Sequence, residues 1–154
     1  MRALIATTFL VSVLLSAQTP ALAKDALIVK ESKHPVTMTL NRLEKILLSK
    51  GIKIMGRVNH AAGAKAAGMT LPETEVIIFG NPKLGTPLIQ ASPQIAIDLP
   101  MKILVWKDAN GKVFLGYSDP DDLKEKYEVE GKDEIFATMS KALDAFTTAA
   151  AAEK

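Results

Sequence analysis

Over residues 79–100 the chain reads FGNPKLGTPLIQASPQIAIDLP, with four prolines and two glycines set among apolar residues. Proline fixes φ and removes an N–H donor, while glycine reaches φ values closed to other residues. A segment of this composition has few backbone paths open to it. Lys83, Thr86, Gln90 and Asp98 are carried on that path. The pattern suits a site better than a spacer, but no reaction is written in it.

The first residues stand apart from the rest. Met1-Arg2 is a positive start, residues 3–15 are an almost unbroken apolar run, and Ala21-Leu22-Ala23 is a small-residue cleavage pattern. The run is shorter than the roughly 20 residues that span a bilayer, so an uncleaved anchor is the lesser alternative. Residues 1–23 are therefore expected to be a cleaved signal peptide. The mature chain, residues 24–154, is expected to be periplasmic or secreted, with no stable membrane insertion.

The remainder suits a single domain with one core. The chain has no cysteine, which excludes disulfides, cysteine metal sites and covalent c-type haem. The net charge is only +2, and no basic run interleaved with aromatics appears, so nucleic acid is not an expected partner. No cofactor is expected either.

Residues 25–30 read as a strand, and His34-Pro35 opens a helix with proline in its first turn. Val36, Leu40, Leu43 and Leu47 recur at helical spacing until Lys50-Gly51 closes the run. Residues 52–59 and 74–79 are strands, with a short glycine-interrupted helix between them. Thr86-Pro87 predicts a cap and first position for one helical turn over residues 88–91, stopped by Ser92-Pro93. Strands 102–107 and 112–118 flank Asp108-Ala109-Asn110-Gly111, the clearest hairpin signal in the chain. Asp119-Pro120 starts another helix. Ile135, Met139, Leu143 and Phe146 form the stripe of a C-terminal one, with residues 147–154 a fraying tail.

The order β-α-β-β-β-β-α is that of an α+β domain, an antiparallel sheet with helices packed on one face. The other face is solvated or covered by a partner. Leu104, Trp106, Leu115 and Tyr117 in the hairpin offer it apolar side chains, so a homodimer is expected.

Gly80-Asn81-Pro82-Lys83-Leu84-Gly85-Thr86 imitates a phosphate-binding loop, but no lysine precedes the threonine and Pro82 removes a donor. Two readings remain: an anion site using Lys83 with the N–H groups near Gly85 and Thr86, and a rigid turn that caps its own helix. His60, at a strand end, is either a proton carrier or a turn-fixing ring. Asp98 lies among apolar neighbours and needs a partner if buried: Lys83, Lys102, Arg57 or backbone amides. Two distant histidines and no HExxH give no metal signature, and Met38, Met55, Met69, Met101 and Met139 do not group as copper ligands would. No GxSxG elbow is present.

NHAAGA at residues 59–64, IIFGNPKLGTPLIQ at 77–90, IDLPMKILVWKDANGKV at 97–113 and GYSDP at 116–120 together resemble the domain of unknown function 302 family. That family usually has Asp-His where this chain has Asn59-His60. The resemblance implies a TATA-binding-protein-like α+β domain, commonly a homodimer, with no established activity. His60, Asn81, Thr86 and Asp98 are the polar positions that match its motif.

The leading expectation is a non-enzymatic exported binding domain. Its small-ligand or anion site would use His60, Asn81, Lys83, Thr86 and Asp98. One rival is an enzyme with His60 and Asp98 as general acid and base, which requires both to line one cleft. The other is a structural adaptor for another exported protein.

Overall fold

Leu40, Leu43 and Leu47 are fully buried along one stripe of helix α1 (Val36–Ser49), the face that their spacing predicts. The computed structural model describes residues 27–153, so the expected signal peptide lies outside the described residues. Strand β1 (Ile28–Ser32) precedes α1. After it come β2 (Lys53–Asn59), α2 (His60–Ala66), β3 (Thr74–Gly80) and α3 (Pro82–Ala91). A 3-10 turn (Pro93–Ile97) leads to β4 (Met101–Lys107), β5 (Val113–Tyr117), α4 (Pro120–Lys126) and α5 (Asp133–Ala151).

The strands form one sheet in the order β1-β5-β4-β3-β2, with every neighbouring pair antiparallel. This is the α+β architecture expected. Ile77, Phe79, Ile103, Val105 and Leu115 point from the sheet into a core shared with α1 and α5. Alternation along each strand sends the intervening residues to the other face. The hairpin forms because Asp108 Oδ1 accepts from the N–H groups of Asn110 (2.9 Å) and Lys112 (2.8 Å). Asp119 caps α4 in the same manner, with Pro120 at its first position.

Two expectations are corrected. The proline-dense segment is not an irregular loop with one turn of helix. α3 begins at Pro82, capped by Asn81, whose Oδ1 accepts the Lys83 N–H at 3.0 Å; Thr86 and Pro87 lie inside it. A proline there deprives one carbonyl of its helical partner, which sequence rules read as a boundary. Nor does the chain leave the helix at Thr147, because α5 continues to Ala151. Arg42 donates from Nε to the Ala150 carbonyl and from Nη2 to those of Ala149 and Ala152, and the Lys33 N–H reaches Ala151 at 2.9 Å. A cation on carbonyls that have no helical partner is the favourable arrangement for a helix C-terminus.

The sheet face away from α1 and α5 carries an apolar band. Of the four hairpin side chains expected there, Leu104 and Trp106 lie on it, whereas Leu115 and Tyr117 point into the core, because alternation puts them on the Val105 face. One row crosses all five strands in register: Val58, Val76, Leu104, Gly116 and Val29. Beside it Trp106 stacks on Phe114 with ring centroids 5.7 Å apart. The Trp106 ring also lies over Gly116, where a Cβ would come within 3.2 Å of it.

Candidate functional site

A cavity of about 300 Å³ opens where α3, the end of the sheet and α5 meet. α3 contributes Leu84 and Ile89 and α5 contributes Leu143 and Phe146, while Phe79 and Leu99 come from the segments that enter and leave α3. The sheet ladder carries a bulge between Ile54 and Gly56, and the residue within it, Met55, also lines the cavity. Gly80 packs closely here: a Cβ there would sit 3.2 Å from Pro100 Cβ, tight by a few tenths of an ångström, and 3.6 Å from Met55 Cε, an ordinary contact.

Met55, Met101 and Met139, scattered in sequence, all border this one space. Thioether side chains adapt to irregular apolar shapes. None of the lining residues is charged. The polar ones are Asn81 and Thr86, and Asn81 is engaged in capping α3. Met55, Pro82 and Thr86 are exposed and mark the mouth.

The five residues nominated from sequence do not form one site. Asn81 and Thr86 border the cavity, but Lys83 is exposed and is not part of its lining. His60 is exposed as the first residue of α2, just after Asn59, which pairs with Glu75 at the start of β3. Asp98 lies three residues before Met101, which pairs with Phe79 near the end of β3. About 14 Å of strand, four steps of roughly 3.4 Å, separates those levels of the sheet. His60 and Asp98 therefore sit at opposite ends and share no cleft.

Asp98 has partners that the sequence reading did not single out. Its Oδ2 accepts from the Tyr127 hydroxyl at 2.6 Å and from Lys126 Nζ at 2.9 Å. Of the expected partners only Lys102 reaches it, donating to the backbone carbonyl at 3.1 Å. The Tyr127 hydroxyl, then Lys126 and Lys102, hold the carboxyl below its ordinary value of 3.8 against the opposing pull of partial burial. A depressed folded pKa stabilises the fold above the unfolded value, and that contribution is lost as pH falls through the folded value. Asp98→Asn should therefore lower the thermal midpoint by about 3 °C at pH 7. The gap to the parent should close as the pH drops below 3.8. A gap that stays constant down to strongly acid pH would rule out this electrostatic role. Calorimetry across pH reads it.

A second polar cluster was missed altogether. Glu75, buried on the core side of β3, accepts from Arg57 Nε at 2.7 Å and from Asn59 Nδ2 at 3.3 Å. Arg57 Nη1 also reaches Asn41 and Glu44 of α1. Burial pulls the guanidinium pKa down, but the hydrogen bonds and charges of Glu75 and Glu44 outweigh that pull and hold it above its ordinary value. The cluster satisfies its own members and ties α1 to the sheet. Among the described residues no group of three or more His, Cys, Asp or Glu could hold a metal ion.

The family model described as "Domain of unknown function DUF302" matches residues 28–146. The chain belongs to the DUF302 family. The crystal structure of an uncharacterized conserved DUF302 protein from Bacillus stearothermophilus has the same fold, with a TM-score of 0.73. It is 19% identical and covers 80% of this chain and 97% of that one. Among curated proteins, "Fluoride-specific ion channel FluC 1" of Brucella suis is 46% identical over 101 residues, which is 66% of this chain and 40% of that protein. The proteins of that kind from Brucella abortus (FluC 1) and Brucella melitensis (FluC 2) match to the same degree over 37% of their length. This DUF302 chain thus spans about two fifths of the curated relatives it matches.

Proposed function

We propose that this DUF302 chain is a non-enzymatic, exported, homodimeric binding domain whose ligand occupies the cavity beside α3. The observation that carries this reading is the cavity itself. Interiors are packed as densely as organic crystals, so a roomy space bordered by a backbone-constrained segment is unlike an ordinary packing gap. Its volume lies at the lower end of the range for small-molecule pockets. The acid–base alternative loses its support because His60 and Asp98 stand at opposite ends of the sheet. Export rests on the sequence pattern of residues 1–23. Dimerisation rests on the apolar face described above, which suits sheet-on-sheet packing by a second copy. The charges of Glu31 and Lys102 at its margin resemble the polar rim of an interface.

Backbone amide shifts test the site. A small apolar molecule added to the purified chain should move the signals of Gly80, Gly85, Leu99 and Ala142 before any others.

The adaptor reading keeps one specific observation in its favour, the match to part of proteins named fluoride-specific ion channels. Among the described residues no helix is long and apolar enough to cross a membrane. On this second reading the domain serves such a channel from outside its ion path. It rests on the relatives alone.

A further inference from the structure

We infer, building on the binding reading above, that the cavity's occupant is a medium-length aliphatic molecule lying with its hydrocarbon body inside and its polar end at the mouth. The size follows from volume. At about 30 Å³ per methylene-sized group, close to the share of one liquid water, the 300 Å³ space takes on the order of ten carbon atoms.

The class follows from the lining. Leu84, Ile89, Leu99 and Leu143 give it aliphatic walls, and Met55, Met101 and Met139 conform to a flexible chain. A charged or polyhydroxylated body would leave polar groups buried without partners, because among the described residues no charged side chain borders the space. Asn81 spends its acceptor on the Lys83 N–H, and Thr86 is exposed at the mouth. That placement leaves water and Thr86 to meet a polar end group. The anion site expected from Lys83 does not coincide with the cavity, because Lys83 is not in its lining.

Displacement of N-phenyl-1-naphthylamine from the full purified chain by 1-decanol, decanoate and inorganic phosphate tests this. Decanol and decanoate should displace the probe with dissociation constants on the order of 10 µM, the scale reached once association costs are met. Phosphate should not compete. Ala142, half-buried on α5, lines the cavity. Ala142→Leu fills it with a good helix former, so decanol should bind at least about tenfold more weakly while the thermal midpoint holds or rises. Met55→Lys, at the half-exposed mouth, should favour decanoate over decanol by about tenfold relative to the parent chain. Lys83→Ala should change neither affinity.

Phosphate binding that Lys83→Ala abolishes, with no effect of decanol, would overturn the aliphatic inference and move the ligand out of the cavity to an anion site outside its lining. Decanol binding that is indifferent to Ala142→Leu would place the ligand elsewhere and overturn the inference. An unchanged decanoate preference in Met55→Lys would overturn the orientation. Failure of all three molecules to bind would overturn both the inference and the binding reading.

Discussion

Replacing Arg57 by methionine should destabilise the domain by about 3 kcal/mol, the scale for removing one partner of a largely buried ion pair. Glu75 has 11% of its side chain exposed and takes its shortest hydrogen bond, 2.7 Å, from Arg57. Without the guanidinium, one Asn59 contact at 3.3 Å is what the structure gives that carboxylate. Glu44 and Asn41 on α1 lose their link to the sheet in the same step. Replacing Glu75 by leucine in addition should restore all but about 1 kcal/mol, because an apolar pair of similar volume avoids the desolvation of both charges. Urea unfolding of both variants, at unchanged denaturant slope, reads the difference. A loss below about 0.5 kcal/mol in the single variant would mean that the cluster behaves as a solvated surface pair.

Val76→Lys should convert the proposed dimer into a monomer, raising the dissociation constant of that dimer at least about 100-fold. Val76 stands in the middle strand of the row Val58, Val76 and Leu104 on the open face. A second copy packed on that face would have to bury the new ammonium, and two like charges near a symmetry axis cost several kcal/mol. The change lies away from the α1–α5 core, so the monomer should keep its fold. Sedimentation equilibrium of parent and variant decides this. A parent chain that is monomeric at tens of micromolar would defeat the dimer, and a variant that still dimerises would show that another surface is used.

Elements whose signals are local were legible in the sequence. The 3.6-residue period of Leu40, Leu43 and Leu47 sets α1. Asp108 and Gly111 set the hairpin, and Asp119-Pro120 sets α4. α3 was hidden because Pro87 reads as a helix boundary, yet the chain carries the helix through it. The continuation of α5 was hidden for a different reason. Its alanine run has weak hydrophobic contrast, and its anchors, Arg42 and the Lys33 amide, lie more than a hundred residues away.

The candidate site was legible only in part. The dense prolines and glycines of residues 79–100 pointed to the right segment, and Asn81 and Thr86 do border the cavity. The polar residues His60, Lys83 and Asp98 stand outside the lining, which is apolar but for Asn81 and Thr86. Met55, Met101 and Met139 come from a bulge, a strand and a helix, and no spacing rule joins them. Tyr127 and Lys126 reach Asp98 from the end of α4, 28 or 29 residues further on. Such groupings arise from the tertiary fold and leave no period in the sequence.

Backbone amide chemical shifts, followed while 1-decanol is added to the purified chain, are the measurement to make. Saturating shifts should gather at Gly80, Gly85, Leu99 and Ala142, around one cavity between α3 and α5. Shifts confined to the Val58–Val76–Leu104 face or to the surroundings of His60, or no saturable shifts at all, would contradict a ligand site in that cavity.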